Sequence, residues 1–79
     1  MNNLDWVESN NKLEKTFKFN DYNAVVRFSN QVMQIAIAQD HHPEILVLYN
    51  FVKVRITDFE QGAVSEKCRR FVAAVDKII

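Results

Sequence analysis

The chain has 79 residues, enough for one domain, with 48% hydrophobic side chains and ten basic residues balanced by ten acidic ones. That apolar fraction is too high for a disordered chain. The charges cancel and are mixed along the sequence, so there is no basic stripe of the kind that binds nucleic acid.

A single cysteine, Cys68, excludes an intrachain disulfide and a cysteine-rich zinc site. No apolar run is long enough to span a bilayer. The opening Met-Asn-Asn-Leu-Asp lacks the basic and apolar parts of a signal peptide. The expectation is one cytoplasmic domain over residues 1–79, with no membrane or nucleic-acid partner. A domain this small buries a modest core and gains stability by associating, so a homodimer or larger homo-oligomer is expected.

Leu4 to Ser9 predicts a short strand. Asn10-Asn11 tolerates positive φ and suits a tight hairpin turn. Leu13 to Phe19 then alternates: Glu14, Thr16 and Lys18 point one way, and Leu13, Phe17 and Phe19 the other. Lys15 breaks the alternation, a charged residue on the apolar side. Asn20 and Asp21 are good N-cap residues and open a helix, Asp21–Gln39. Val25, Phe28, Val32 and Ile35 form its apolar stripe. Val26, Met33 and Ile37 lie off that stripe, so the helix is apolar on more than one side. A chain of this size cannot surround it, and a second subunit is the expected cover.

Ile45 to Leu48 predicts a third strand. A turn at Tyr49-Asn50 follows, with Asn50 able to adopt a left-handed conformation. Phe51 to Thr57 is the fourth strand, with Val52, Val54 and Ile56 on its core face. The last helix, Ser65–Lys77, carries the stripe Val64, Cys68, Phe71, Val75 and Ile78. The order is β-β-α-β-β-α, an α+β fold: a four-stranded antiparallel sheet with both helices on one face and the other face open.

Between the long helix and the third strand stands His41-His42-Pro43. Both imidazoles can exchange protons near neutral pH, and the proline after them marks an element boundary. The spacing His41-His42-Pro43-x5-Tyr49-Asn50, continued by Val52, Val54 and Ile56, resembles the pterin-4a-carbinolamine dehydratases. Trp6, Phe17, Phe19, Asp21-Tyr22 and Phe28 also sit where that family expects them. Animal members of the family double as a dimerisation cofactor for a homeodomain transcription factor.

The resemblance implies elimination of water from a 4a-hydroxytetrahydropterin, which regenerates the quinonoid dihydropterin after aromatic amino-acid hydroxylation. No further cofactor is implied. The step needs a base for a ring N–H and an acid for the leaving hydroxide, tasks suited to groups with pKa near the working pH. By position, His41 corresponds to an acid/base residue and His42 to a pterin-binding residue. The family's third histidine falls on Phe59, its aspartate early in the last helix on Cys68, and its acidic residue four before the first histidine on Ile37.

Phenylalanine transfers no proton. Cys68, on an apolar stripe, reads first as a small buried core residue. Asp58 is a substitute acid only if the strand ends early or bulges, because strand periodicity sends it to the opposite face from Phe59. A bland reading of His41 and His42 also stands, in which they cap the long helix and bond backbone carbonyls. A metal site is not expected, because adjacent histidines diverge and no third ligand lies near.

Losing one general acid or base lowers a rate by about 10²–10⁴. The resemblance therefore leads to two readings. In the first, dehydratase activity is weak or lost and the scaffold serves as a protein-binding or assembly factor. Members degenerate at the active site assist RuBisCO assembly in bacteria with α-carboxysomes and in chloroplasts, which makes RuBisCO the best-precedented client. In the second, a divergent dehydratase works with His41, His42 and Asp58, Glu60 or a water.

Overall fold

A computed structural model describes residues 5–79 of the chain. In chain order the elements are β1 (Val7–Ser9), β2 (Lys12–Lys18), α1 (Tyr22–Gln39), β3 (Glu44–Leu48), β4 (Phe51–Ile56) and α2 (Glu66–Lys77). Every strand pairing is antiparallel, in the spatial order β1-β2-β4-β3. The expected four-stranded sheet with two helices on one face is the observed fold. Leu4, the expected start of the first strand, lies outside the described residues.

Asn10 and Asn11 adopt φ of 52° and 64°, the twisted turn that closes β1 onto β2. Val52, Val54 and Ile56 alternate inward from the central strand β4 and meet Leu13 and Phe17 of β2. Against them pack Val25, Phe28, Val32 and Ala36 of α1 and Cys68, Phe71 and Val75 of α2. Phe17 is the aromatic hub. Its ring lies 4.7 Å from that of Phe28 and 5.8 Å, edge-on, from that of Trp6.

Lys15 points inward, as its place in the alternation requires. Its ammonium lies over the Phe17 ring, Nζ 5.0 Å from the centroid, and 3.3 Å from the Asp76 carboxylate. The aromatic face and the ion pair reconcile a mostly buried lysine with an apolar side.

Two local possibilities open in the sequence are not realised. Asn50 does not take up the left-handed conformation; the positive-φ residues among those described are Asn10, Asn11, Asp40 and Gly62. The Asn50 carbonyl instead accepts from the Phe19 N–H at 2.9 Å, which ties the β3–β4 turn to the exit of β2. The helix-capping reading of the histidine side chains also fails. Asp40, at φ 51°, is the C-cap of α1, and the backbone N–H groups of Asp40 and His41 donate to Ile37 and Ala36. Those bonds satisfy the end of the helix and leave the His41 ring free to turn inward.

Candidate functional site

The left-handed step at Asp40 ends α1 abruptly and throws the two histidines to opposite sides. His41 folds under the loop to 8% exposure, whereas the His42 side chain stays 72% exposed, 4.0 Å from the Asp40 carboxylate. Pro43 then launches β3. Opposite this corner, β4 ends at Ile56, and Asp58 forms an isolated bridge to Ala63. Asp58 keeps the inward sense of Val52, Val54 and Ile56 past the end of the strand, so its side chain is buried while that of Phe59 points out. An open pocket of about 260 Å³ lies between the two corners, lined by His41, His42, Asp58, Phe59, Glu60 and Lys67 among others.

His41, like Asp58, is a buried group of this pocket. Its Nε2 lies 3.3 Å from Cys68 Sγ, which is wholly inaccessible, and its ring stands edge-on to Phe71 with centroids 6.4 Å apart. Burial pushes the imidazole below its ordinary value of 6.5. Lys67 and His42 push the same way, while Asp58 and Asp40 oppose them.

Asp58 is held as a carboxylate. Ser65 Oγ–H donates to Oδ2 at 2.7 Å, and the backbone N–H groups of Glu60 and Gln61 donate to Oδ1 at 3.1 and 3.4 Å. The Ser65 bond first, then those backbone donors and the nearby His41, hold its pKa below the usual carboxylate value, against a burial effect of opposite sign. A carboxylate so bonded stays ionised and available to a neighbouring cation.

The three positions expected to depart from the family's polar pattern fall in three different environments. Phe59 stands at the pocket rim, 81% exposed, with no polar atom to offer. Cys68 is in the core, as its stripe implied, yet it also touches His41. Ile37 lies away from the pocket, exposed in an apolar groove of about 350 Å³ with Met33, Pro43 and Ile45, which His42 borders from the other side. Sequence reasoning passed over Ser65 and Lys67. The signal for Lys67 was adjacency to Cys68. Ser65 was visible only as an N-cap, and its hydroxyl makes no cap bond here. Among the described residues no group of three or more His, Cys, Asp or Glu is arranged to hold a metal ion.

A four-stranded antiparallel sheet backed by two helices, with a histidine pair at the corner between the first helix and the third strand, defines the pterin-dehydratase-like class. The family model described as pterin 4 alpha carbinolamine dehydratase matches residues 1–78, and the chain belongs to that family.

Among its relatives, an inferred pterin-4-alpha-carbinolamine dehydratase of Sulfolobus acidocaldarius is 38% identical over 73 residues, covering 92% of this chain and 80% of the relative. One from Chloroflexus aggregans is 36% identical over 76 residues, covering 95% and 81%. Among solved structures, the transcriptional coactivator/pterin dehydratase of Brucella melitensis superposes with a TM-score of 0.88 at 27% identity, covering 92% of this chain and 80% of that one. A pterin dehydratase-like protein identified as a RuBisCO assembly factor in the α-carboxysome superposes at 0.77 with 26% identity, covering 94% and 88%.

Proposed function

We propose that this chain is a pterin-dehydratase-like protein whose dehydratase activity is weak or lost and whose scaffold acts as a protein-binding or assembly factor. The observation that carries the reading is Phe59. At the rim of the pocket that holds His41, the position of the family's third histidine offers only a hydrocarbon ring. His41 keeps its acid/base position and His42 its pterin-facing one, so the pocket retains groups for recognition while its proton-transfer set is reduced. RuBisCO is the client with the best precedent, because one structural neighbour is described as its assembly factor. The working unit in this reading is a homodimer or larger homo-oligomer.

The test is a dehydratase assay with a 4a-hydroxytetrahydropterin. One proton-transfer group supplies about 10²–10⁴ in rate. Phe59→His is therefore expected to raise a low turnover, and His41→Ala in that background to remove the gain. An unmodified protein that turns over at about 1 s⁻¹ or faster, and loses that activity with His41→Ala, overturns the reading.

That outcome would establish the second reading, a divergent dehydratase, which one specific observation favours. Asp58 is drawn into the same pocket as His41 and held ionised there. In the divergent enzyme it stands in for the histidine expected at Phe59.

A further inference from the structure

We propose that Asp58 acts on His41 through a two-residue hydrogen-bond relay, Ser65 and then Cys68, which fixes the imidazole as its Nε2–H tautomer and couples its charge to the carboxylate. The proposal deepens the reading above and rests on it only in taking His41 as the group that meets the ligand.

The direction of each bond follows from counting protons. Ser65 has one hydroxyl proton. As the N-cap of α2 its oxygen would ordinarily accept from a backbone N–H of the first turn, yet no such bond forms. Its Oγ lies instead 2.7 Å from Asp58 Oδ2. An ionised carboxylate only accepts, so the Ser65 proton sits in that bond and leaves Oγ with lone pairs alone. Cys68 Sγ lies 3.9 Å from this oxygen, and any hydrogen bond between them must therefore run from S–H to Oγ.

With its proton so directed, the sulfur presents lone pairs to His41 Nε2 at 3.3 Å, and Nε2 must carry hydrogen. The chain then reads Nε2–H to Sγ, S–H to Oγ and O–H to Oδ2, every proton pointing toward Asp58. The opposite sense, with S–H on Nε2, would forgo the Cys68–Ser65 bond and break the chain at that link.

Aligned bonds of this kind polarise one another, and more so where water is excluded. Cys68 is inaccessible and His41 nearly so. The relay leaves Nδ1 as the atom that can take a proton. When it does, Nε2 keeps its own hydrogen and no proton travels along the chain; the aligned dipoles and the carboxylate stabilise the cation that results. The other charged or titratable groups that act on His41 are Asp40, which favours the cation, and Lys67 and His42, which oppose it. Asp58, Ser65 and Cys68 are thus positioning residues, and together they return to His41 part of what burial takes away.

The test is nitrogen-15 NMR of the His41 ring in the full chain without ligand, a readout that stands whether or not the protein turns over a pterin. The neutral ring is expected to carry its proton on Nε2. Asp58→Asn, Ser65→Ala and Cys68→Ala are each expected to lower the protonated fraction of His41 at a given acidic pH, by about threefold. Cys68→Ser, which can both accept and donate, is expected to retain the unmodified behaviour. The double variant Asp58→Asn/Ser65→Ala is expected to do no more than Asp58→Asn alone, because both break one chain. A neutral ring protonated on Nδ1 overturns the proposal. So does a Ser65→Ala protein that titrates unchanged while Asp58→Asn shifts, because the carboxylate would then act through space alone.

Discussion

His41 sits where burial and charge disagree, and its protonation couples to folding with a definite sign. Burial first, then Lys67, hold the folded-state pKa below 6.5, and Asp58 only partly opposes them. Above that value the ring is neutral in both states and contributes no pH dependence. As pH falls below 6.5 the unfolded chain takes up a proton before the folded one does, so stability is lost down to the folded pKa. Asp58 titrates in a lower window: its depressed pKa stabilises the fold above the ordinary carboxylate value, and that contribution disappears as pH falls through the folded one. Urea titrations between about pH 7 and pH 5 should therefore show stability declining with acid, and His41→Asn should flatten the decline. A slope that survives the substitution would assign the effect to other groups. At this scale the sequence was only partly legible. The histidine pair and the apolar Phe59 stood in plain view. The Cys68 contact did not, because a helical stripe reports that a side chain is buried and not which polar atom it meets.

The two helices begin with the same type of residue and use it differently. Asp21 accepts from the Ala24 N–H at 2.8 Å, an ordinary N-cap bond, whereas Ser65 gives its hydroxyl to Asp58. Asp21→Ala is accordingly expected to destabilise the protein by about 1 kcal/mol, read as a lower urea midpoint with unchanged slope. A shift below about 0.3 kcal/mol would mean that α1 is held by its packing alone. Elements were the most legible level. Period-2 alternation in β2 and β4 and the stripes of α1 and α2 are direct consequences of one-sided burial, and Asn10-Asn11 has the turn chemistry its φ values demand. Asn50 could take left-handed backbone and does not, because an asparagine that permits it does not require it. Asp58 was read against because it was weighed only as the opposite neighbour of Phe59; the alternation of Val52, Val54 and Ile56 carried on by two residues puts it on the buried side.

At the scale of the whole molecule, what remains outside the core is as informative as what lies within it. The strand order leaves β3 at an edge of the sheet, with unpaired backbone groups and with Leu46, Val47 and Leu48 all exposed. Natural edge strands are usually guarded by charge, proline or brevity, and the run from Ile45 to Leu48 has no charge at all. On α1, Val26, Met33 and Ile37 are exposed in the same way, the last at 67%. Balanced charge offers no long-range repulsion between copies. A homo-oligomer, most simply a dimer, is the expected state at micromolar concentration, measured by light scattering. Leu46→Lys guards the edge and Ile37→Glu charges the helix face. Each lies at an exposed position, so the fold should keep its helical circular dichroism while the assembly loosens. The face whose substitution yields monomers is the one that joins the copies; if each alone gives a smaller assembly, both do, as in a dimer of dimers. A monomeric unmodified protein would defeat the prediction outright, and the exposed apolar residues of β3 and α1 would then be left for the protein client.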